Sequence, residues 1–146
     1  MDWKKCAIED LHNYNARKES LENIIMRISA LKDQSASVKC SMNSDKIPVQ
    51  GGGSKIEDRI LSNLVERERL KHTYHATKRL VELTERGLAG LDERGRLILE
   101  RFFIAPAKGN VERLCGELGY EERNIYKLKD QALYDFTIRE YGLMDY

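Results

Sequence analysis

Residues 110–137, NVERLCGELGYEERNIYKLKDQALYDFT, hold two apolar faces divided by one glycine, and this spacing constrains the chain most. Val111, Leu114, Cys115 and Leu118 fall on one face of a short helix. Ile125, Leu128, Ala132, Leu133 and Phe136 do the same on a longer helix, expected over Glu122–Tyr141 and ended by Gly142. Gly119 follows Leu118, where the chain must turn sharply and a residue without Cβ takes positive φ at little cost. Two amphipathic helices joined by so short a turn predict a helix-turn-helix, whose second helix is shaped to enter a DNA major groove.

The segment before the motif prepares it. Asp92 is placed to cap a helix over Glu93–Phe103 that carries Leu97, Ile98, Leu99, Phe102 and Phe103. Pro106 disfavours helix in the residue before it, so Ile104–Gly109 reads as a break, and Asn110 is expected to cap the next helix.

Upstream lie two long amphipathic stretches. Asp2 is a candidate cap for a helix to about Asp33, with Trp3, Ala7, Leu11, Tyr14, Leu21, Ile25, Ile28 and Leu31 in a heptad-like stripe interrupted at Lys18. Ser54 and Glu57 read as a capping box for a second helix to about Leu88, with Ile56, Ile60, Leu64, Leu70, Tyr74, Leu80, Leu83 and Leu88 on its stripe. Gly87 and Gly90 are expected to loosen the chain after it. Between the two helices, residues 34–53 turn to Ser, Asn, Gln and Gly, with Pro48 and Gly51-Gly52-Gly53, which predicts a flexible loop. The glycine run has no following Lys-Ser/Thr and no preceding strand, so it is not a phosphate loop. Two such helices fold back as a hairpin, or their stripes pair between chains as a homo-oligomer; the sequence leaves both open.

The expected architecture is therefore all-α: a helical hairpin or coiled coil over 1–90, then a helix-turn-helix domain over 91–146. Charged residues make up 34% of the chain against 8% aromatic, which suits exposed helices better than a thick sheet core. No run of 18 apolar residues exists to span a membrane. The opening MDWKKCAIEDLHNY turns acidic where a secretory leader needs its apolar stretch, and Cys6, Cys40 and Cys115 form no CxxC pair. Both features predict a cytoplasmic protein with reduced thiols.

From Leu91 onward, LDERGRLILERFFI followed by the two-helix window resembles region 4 of bacterial sigma factors. Val111, Leu114, Cys115, Gly119, Ile125, Leu128, Ala132 and Leu133 match that family's apolar, small and glycine positions without a gap. Over nearly its full length, including MDWKKCAIEDL and PVQGGGSKIEDRI, the chain looks like the phage-encoded transcriptional regulators of the ArpU and RinA type. The resemblance implies a prophage-borne activator of late genes, such as those for packaging and morphogenesis, acting in a bacterial cytoplasm. It departs from the sigma pattern where Glu121 replaces a capping Ser or Thr, where Glu122-Arg123 reverses an Arg-Glu pair, and where Lys127 replaces a glutamine.

On the second helix of the motif, the outer face near the N-terminus presents Glu122, Arg123, Asn124, Tyr126 and Lys127, with Lys129 and Gln131 further along. Arg123 suits guanine O6 and N7, Asn124 adenine, Glu122 the cytosine amino group, and Lys127 a less directional contact. Lys129, Lys108 and Arg113 suit phosphates, which fix register without carrying sequence. Tyr126 has an alternative in packing against the first helix. From Asp92 to Tyr146 the chain has 9 basic and 11 acidic residues, so its formal charge is −2. Tight non-specific binding to DNA by this part alone is not expected, and a contact with host RNA polymerase becomes an option beside double-stranded DNA.

No catalytic or cofactor chemistry is predicted. His72 and His75 lie three apart without a third ligand, and zinc wants at least three from the protein. No nucleophile has a base and an orienting group beside it. The rival readings are a coiled-coil interaction protein that does not touch DNA, and a small packaging subunit that recognises phage DNA.

Overall fold

The computed structural model describes residues 2–42 and 52–142, with side chains over 2–38 and 55–142. Described elements are all helical: α1 Trp3–Met42, α2 Gly52–Ala89, α3 Glu93–Leu99 running into a π-helical turn at Glu100–Ile104, α4 Asn110–Leu118 and α5 Glu122–Tyr141. None is long and apolar enough to cross a membrane.

The long helices exceed their expected bounds at the loop. Asp2 caps α1 as anticipated, its carboxylate accepting from the Lys5 amide at 3.1 Å. The helix then continues past Asp33 to Met42, because Gln34–Met42 contains neither glycine nor proline and Ser35 is buried. Helix α2 begins at Gly52, which puts Ser54 inside its first turn rather than at the N-cap. The remainder of the expected loop, with Pro48 and Gly51, lies outside the described residues.

Burial also corrects the stripes. On α1 a seam of buried and half-buried positions runs through Trp3, Ala7, Asp10, Tyr14, Arg17, Leu21, Ile24, Ile28, Leu31, Ser35 and Val38, stepping by fours and threes without a break. Arg17, not Lys18, carries the seam through the supposed interruption. On α2 the seam runs through Ile56, Ile60, Asn63, Arg67, Leu70, Tyr74, Thr77, Val81 and Thr84. Ile25, Leu64 and Leu80 lie off it and are exposed. Choosing large apolar residues as markers misses seam positions held by polar side chains.

The chain divides into two compact units that cut across the expected boundary at residue 90. One joins Met1–Lys18 to Arg79–Tyr146 and the other is Glu19–Lys78. In the second unit the two helices meet within the chain, where the Asn63 amide donates to the Leu31 carbonyl at 2.8 Å.

The first unit holds the substantial core. Ala7 and Leu11 from α1 are buried with Leu91, Leu99, Ala132, Leu133 and Phe136, against which Leu88, Phe103 and Tyr141 pack. Gly87 does not loosen the chain there. It is buried inside α2, and a Cβ built on it would come within 2.7 Å of the Phe136 ring, so glycine is what lets α5 approach. Leu97, Ile98 and Phe102 belong to a second cluster, built with α4 and the start of α5. The π-helical turn, closed by the Ala105 amide on the Glu100 carbonyl at 2.8 Å, replaces the last turn of the helix expected to Phe103. Through this turn Phe102 packs in one cluster and Phe103 against the other, as the adjacent Ile98 and Leu99 already do in α3.

Candidate nucleic-acid interface

Helix α3 sets the frame for the two helices that follow. Asp92 caps it as the sequence predicts, accepting from the Gly95 amide at 2.8 Å. Such a cap contributes about 1 kcal/mol. Asn110, expected to cap α4, does something else. Gly109 is the N-cap, with φ of 76°, and Asn110 is the first helical residue, its side chain donating to the Arg101 carbonyl at 2.5 Å. A salt bridge of Arg101 with Glu117 at 3.1 Å holds the other end of α4 to the same π-helical turn.

Helix α4 buries Leu114 completely and packs Val111, Cys115 and Leu118 around it, as the apolar spacing requires. Gly119 closes the helix with φ of 72° and donates its amide to the Cys115 carbonyl at 2.9 Å. Helix α5 then runs from Glu122 to Tyr141 and ends at Gly142, within the bounds read from the sequence. Ile125 and Leu128 face the α3–α4 cluster, whereas Ala132, Leu133 and Phe136 face the core built on α1. One helix therefore serves two clusters, and its first two turns are fixed from beneath by Ile98, Leu114 and Ile125.

That anchoring leaves the opposite side of the first turns exposed. Glu122, Arg123, Asn124 and Lys127 are exposed, and among the described residues no hydrogen bond or ion pair engages their side chains. Glu121 occupies the N-cap without a side-chain cap bond, in keeping with the poor capping of Glu. Lys108 and Arg113 are exposed on the loop before α4 and on α4 itself.

The remaining candidates are committed within the fold. Tyr126, 41% exposed, sets its ring edge-on to Phe102 at 5.8 Å. Lys129 extends over both rings, 5.4 Å from Phe102 and 5.3 Å from Tyr126, and pairs with Asp130 at 3.6 Å. Gln131 donates to Asp135 at 3.2 Å. A base or phosphate contact by Lys129 or Gln131 has to displace these partners, which distinguishes them from Arg123 and Lys127.

Phe102 is the residue the motif reading missed, because it precedes the motif and reads as ordinary core. It forms the shelf on which Tyr126 and Lys129 rest. Tyr120, at the turn, is tied to α3 by Arg94, which donates to its hydroxyl at 2.8 Å. His72 and His75 are exposed, and no group of three potential ligands is present among the described residues. No family model, curated protein or solved structure matches this chain.

Proposed function

We infer that the chain is a sequence-specific DNA-binding transcriptional regulator. In this reading α1 and α2 form a coiled-coil hairpin, and α3–α5 form a sigma region 4-like helix-turn-helix that lays α5 in the major groove. One observation carries it. The first two turns of α5 hold Arg123, Asn124 and Lys127 outward and unpaired while Ile125 beneath them is completely buried, so the reading side chains stand on a rigid element. Arg123 and Asn124 are the base-reading residues, Lys127 supports them, and Lys108 and Arg113 meet phosphates.

On its likeness to the ArpU and RinA type, the regulator belongs to a prophage and activates late genes in the bacterial cytoplasm without a cofactor. The formal charge of −2 over Asp92–Tyr146 favours an added contact with host RNA polymerase, because protein surfaces do not require phosphate neutralisation. Selection of bound duplexes from a random-sequence pool, followed by salt titration of the winning site, tests the reading. A defined consensus with affinity falling as salt rises supports it. Failure to retain any duplex at low salt overturns it.

A further inference from the structure

Asp130 shares the outward face of α5 with Arg123, Tyr126 and Lys127. Taking Arg123 as zero and advancing about 100° a residue, Leu128, Ala132 and Ile125 fall at about 140°, 180° and 200° around the helix. These three side chains anchor the first turns of α5 from beneath. The line opposite them falls at about −10°, between Arg123 at zero and Asp130 at about −20°. Tyr126 and Lys127 flank that line at about −60° and 40°. Side chains spaced i, i+3, i+4 and i+7 share one helix face, and in a groove helix that spacing meets base edges.

The Asp130 carboxylate is supported from one side. Its side chain is 64% exposed, and the Lys129 ammonium meets Oδ1 at 3.6 Å. Lys129 is itself held in place, 23% exposed and 5.4 Å and 5.3 Å from the Phe102 and Tyr126 ring centroids. No further hydrogen bond engages Asp130 among the described residues, which leaves Oδ2 open as an acceptor. An ionised carboxylate only accepts, so phosphates and the two acceptors on the guanine edge repel it. Cytosine N4 offers a donor to a carboxylate in the major groove, whereas adenine sets its N7 lone pair beside its amino group.

We propose that Asp130 is a specificity-determining residue that accepts a hydrogen bond from the amino group of a cytosine. Lys129, fixed over the two rings, offsets the charge that this carboxylate brings into the groove. Seven residues of helix rise about 10 Å, which spans about three base pairs at roughly 3.4 Å each. The cytosine therefore lies about three base pairs from the position that Arg123 reads.

This inference rests on the DNA-binding reading. Its test is the affinity of wild type, D130A and D130N for the selected operator and for each of its single-base-pair substitutions, measured by fluorescence anisotropy at one salt concentration. Wild type is expected to favour cytosine at one position by about fivefold or more. D130A should lose that preference there and keep the preference that Arg123→Ala relaxes about three base pairs away. D130N should move the preference toward adenine, whose N6 and N7 match an amide. Asp130 is exposed, and helical circular dichroism of each variant checks that the fold is kept. An equal rise in the affinity of D130A for every duplex would mean that the carboxylate only repels DNA, and it overturns the proposal. So does a D130A profile identical to that of wild type. Both results leave the DNA-binding reading standing, whereas a wild type that retains no duplex overturns the two together.

Discussion

Tyr141, the last residue of α5, donates its hydroxyl proton to the carboxylate of Asp10 on α1, 131 residues earlier in the chain. Arg17 completes the arrangement with a 2.8 Å salt bridge to the other Asp10 oxygen. Burial opposes ionisation of Asp10, but the hydrogen bonds from Tyr141 and Arg17 outweigh it and hold its pKa below the ordinary value. Beside them Glu140 is buried, and neither of its oxygens has a hydrogen-bond partner among the described residues. Burial first, and then the neighbouring Asp10 carboxylate, push its pKa up to about 9.

The two carboxyls respond oppositely to pH. Between its ordinary value of 4.5 and about 9, Glu140 is protonated in the folded chain and ionised in the unfolded one. Folding takes up a proton there, so its contribution to stability declines as pH rises through that window. Asp10 contributes fully above its ordinary value of 3.8 and loses that contribution as pH falls toward its depressed folded value. Denaturant melts of Glu140→Gln are expected to show a gain of about 1–3 kcal/mol at pH 8 that shrinks toward pH 4.5. An unchanged pH profile would contradict the buried, protonated state.

Removing the Asp92 cap has a local cost. Asp92→Ala leaves the Gly95 amide without its 2.8 Å acceptor and should cost about 1 kcal/mol in urea unfolding. Asp92→Ser should recover most of it, since a hydroxyl accepts the same bond.

Gly119 should tolerate no β-branched residue. With φ of 72°, Gly119→Val is expected to cost about 1–2 kcal/mol from backbone strain alone. Gly119→Asn should cost less, because Asn adopts the left-handed region more readily. Thermal melts of the two variants give the comparison.

Arg123 and Lys108 should separate in binding assays. On a selected operator, Arg123→Ala is expected to cost about 1–3 kcal/mol and relax the preference at one base pair. Lys108→Ala should weaken binding evenly across sequences and reduce the salt slope by about one. Equal effects on specific and random duplexes for Arg123→Ala would remove it from the reading set.

Filling Gly87 should separate α5 from α2. The Cβ of Gly87→Ala meets the Phe136 ring at 2.7 Å, and the required repacking should cost about 1–3 kcal/mol. Gly116→Ala, which meets nothing within 4 Å, is the control and should not destabilise the chain.

The sequence by itself determined the local elements whose signals are short-range. The Asp92 cap, the turn at Gly119, the bounds of α5, and the inward faces of Leu114 and Ile125 all follow from steric and hydrogen-bonding rules acting within a few residues. Only the tertiary structure decided what those rules do not reach. Asn110 left its expected cap role because the Arg101 carbonyl, freed at a π-helical turn, stood within reach of its side chain. Gly87 reads in sequence as a weak point and in space as the place where Phe136 needs room. The seams of α1 and α2 pass through Asp10, Arg17, Asn63 and Arg67, which hydrophobic periodicity cannot mark, and therefore Ile25 and Leu64 fall outside them. A side chain's partners across the fold are set by packing between distant segments, and no local pattern contains that information.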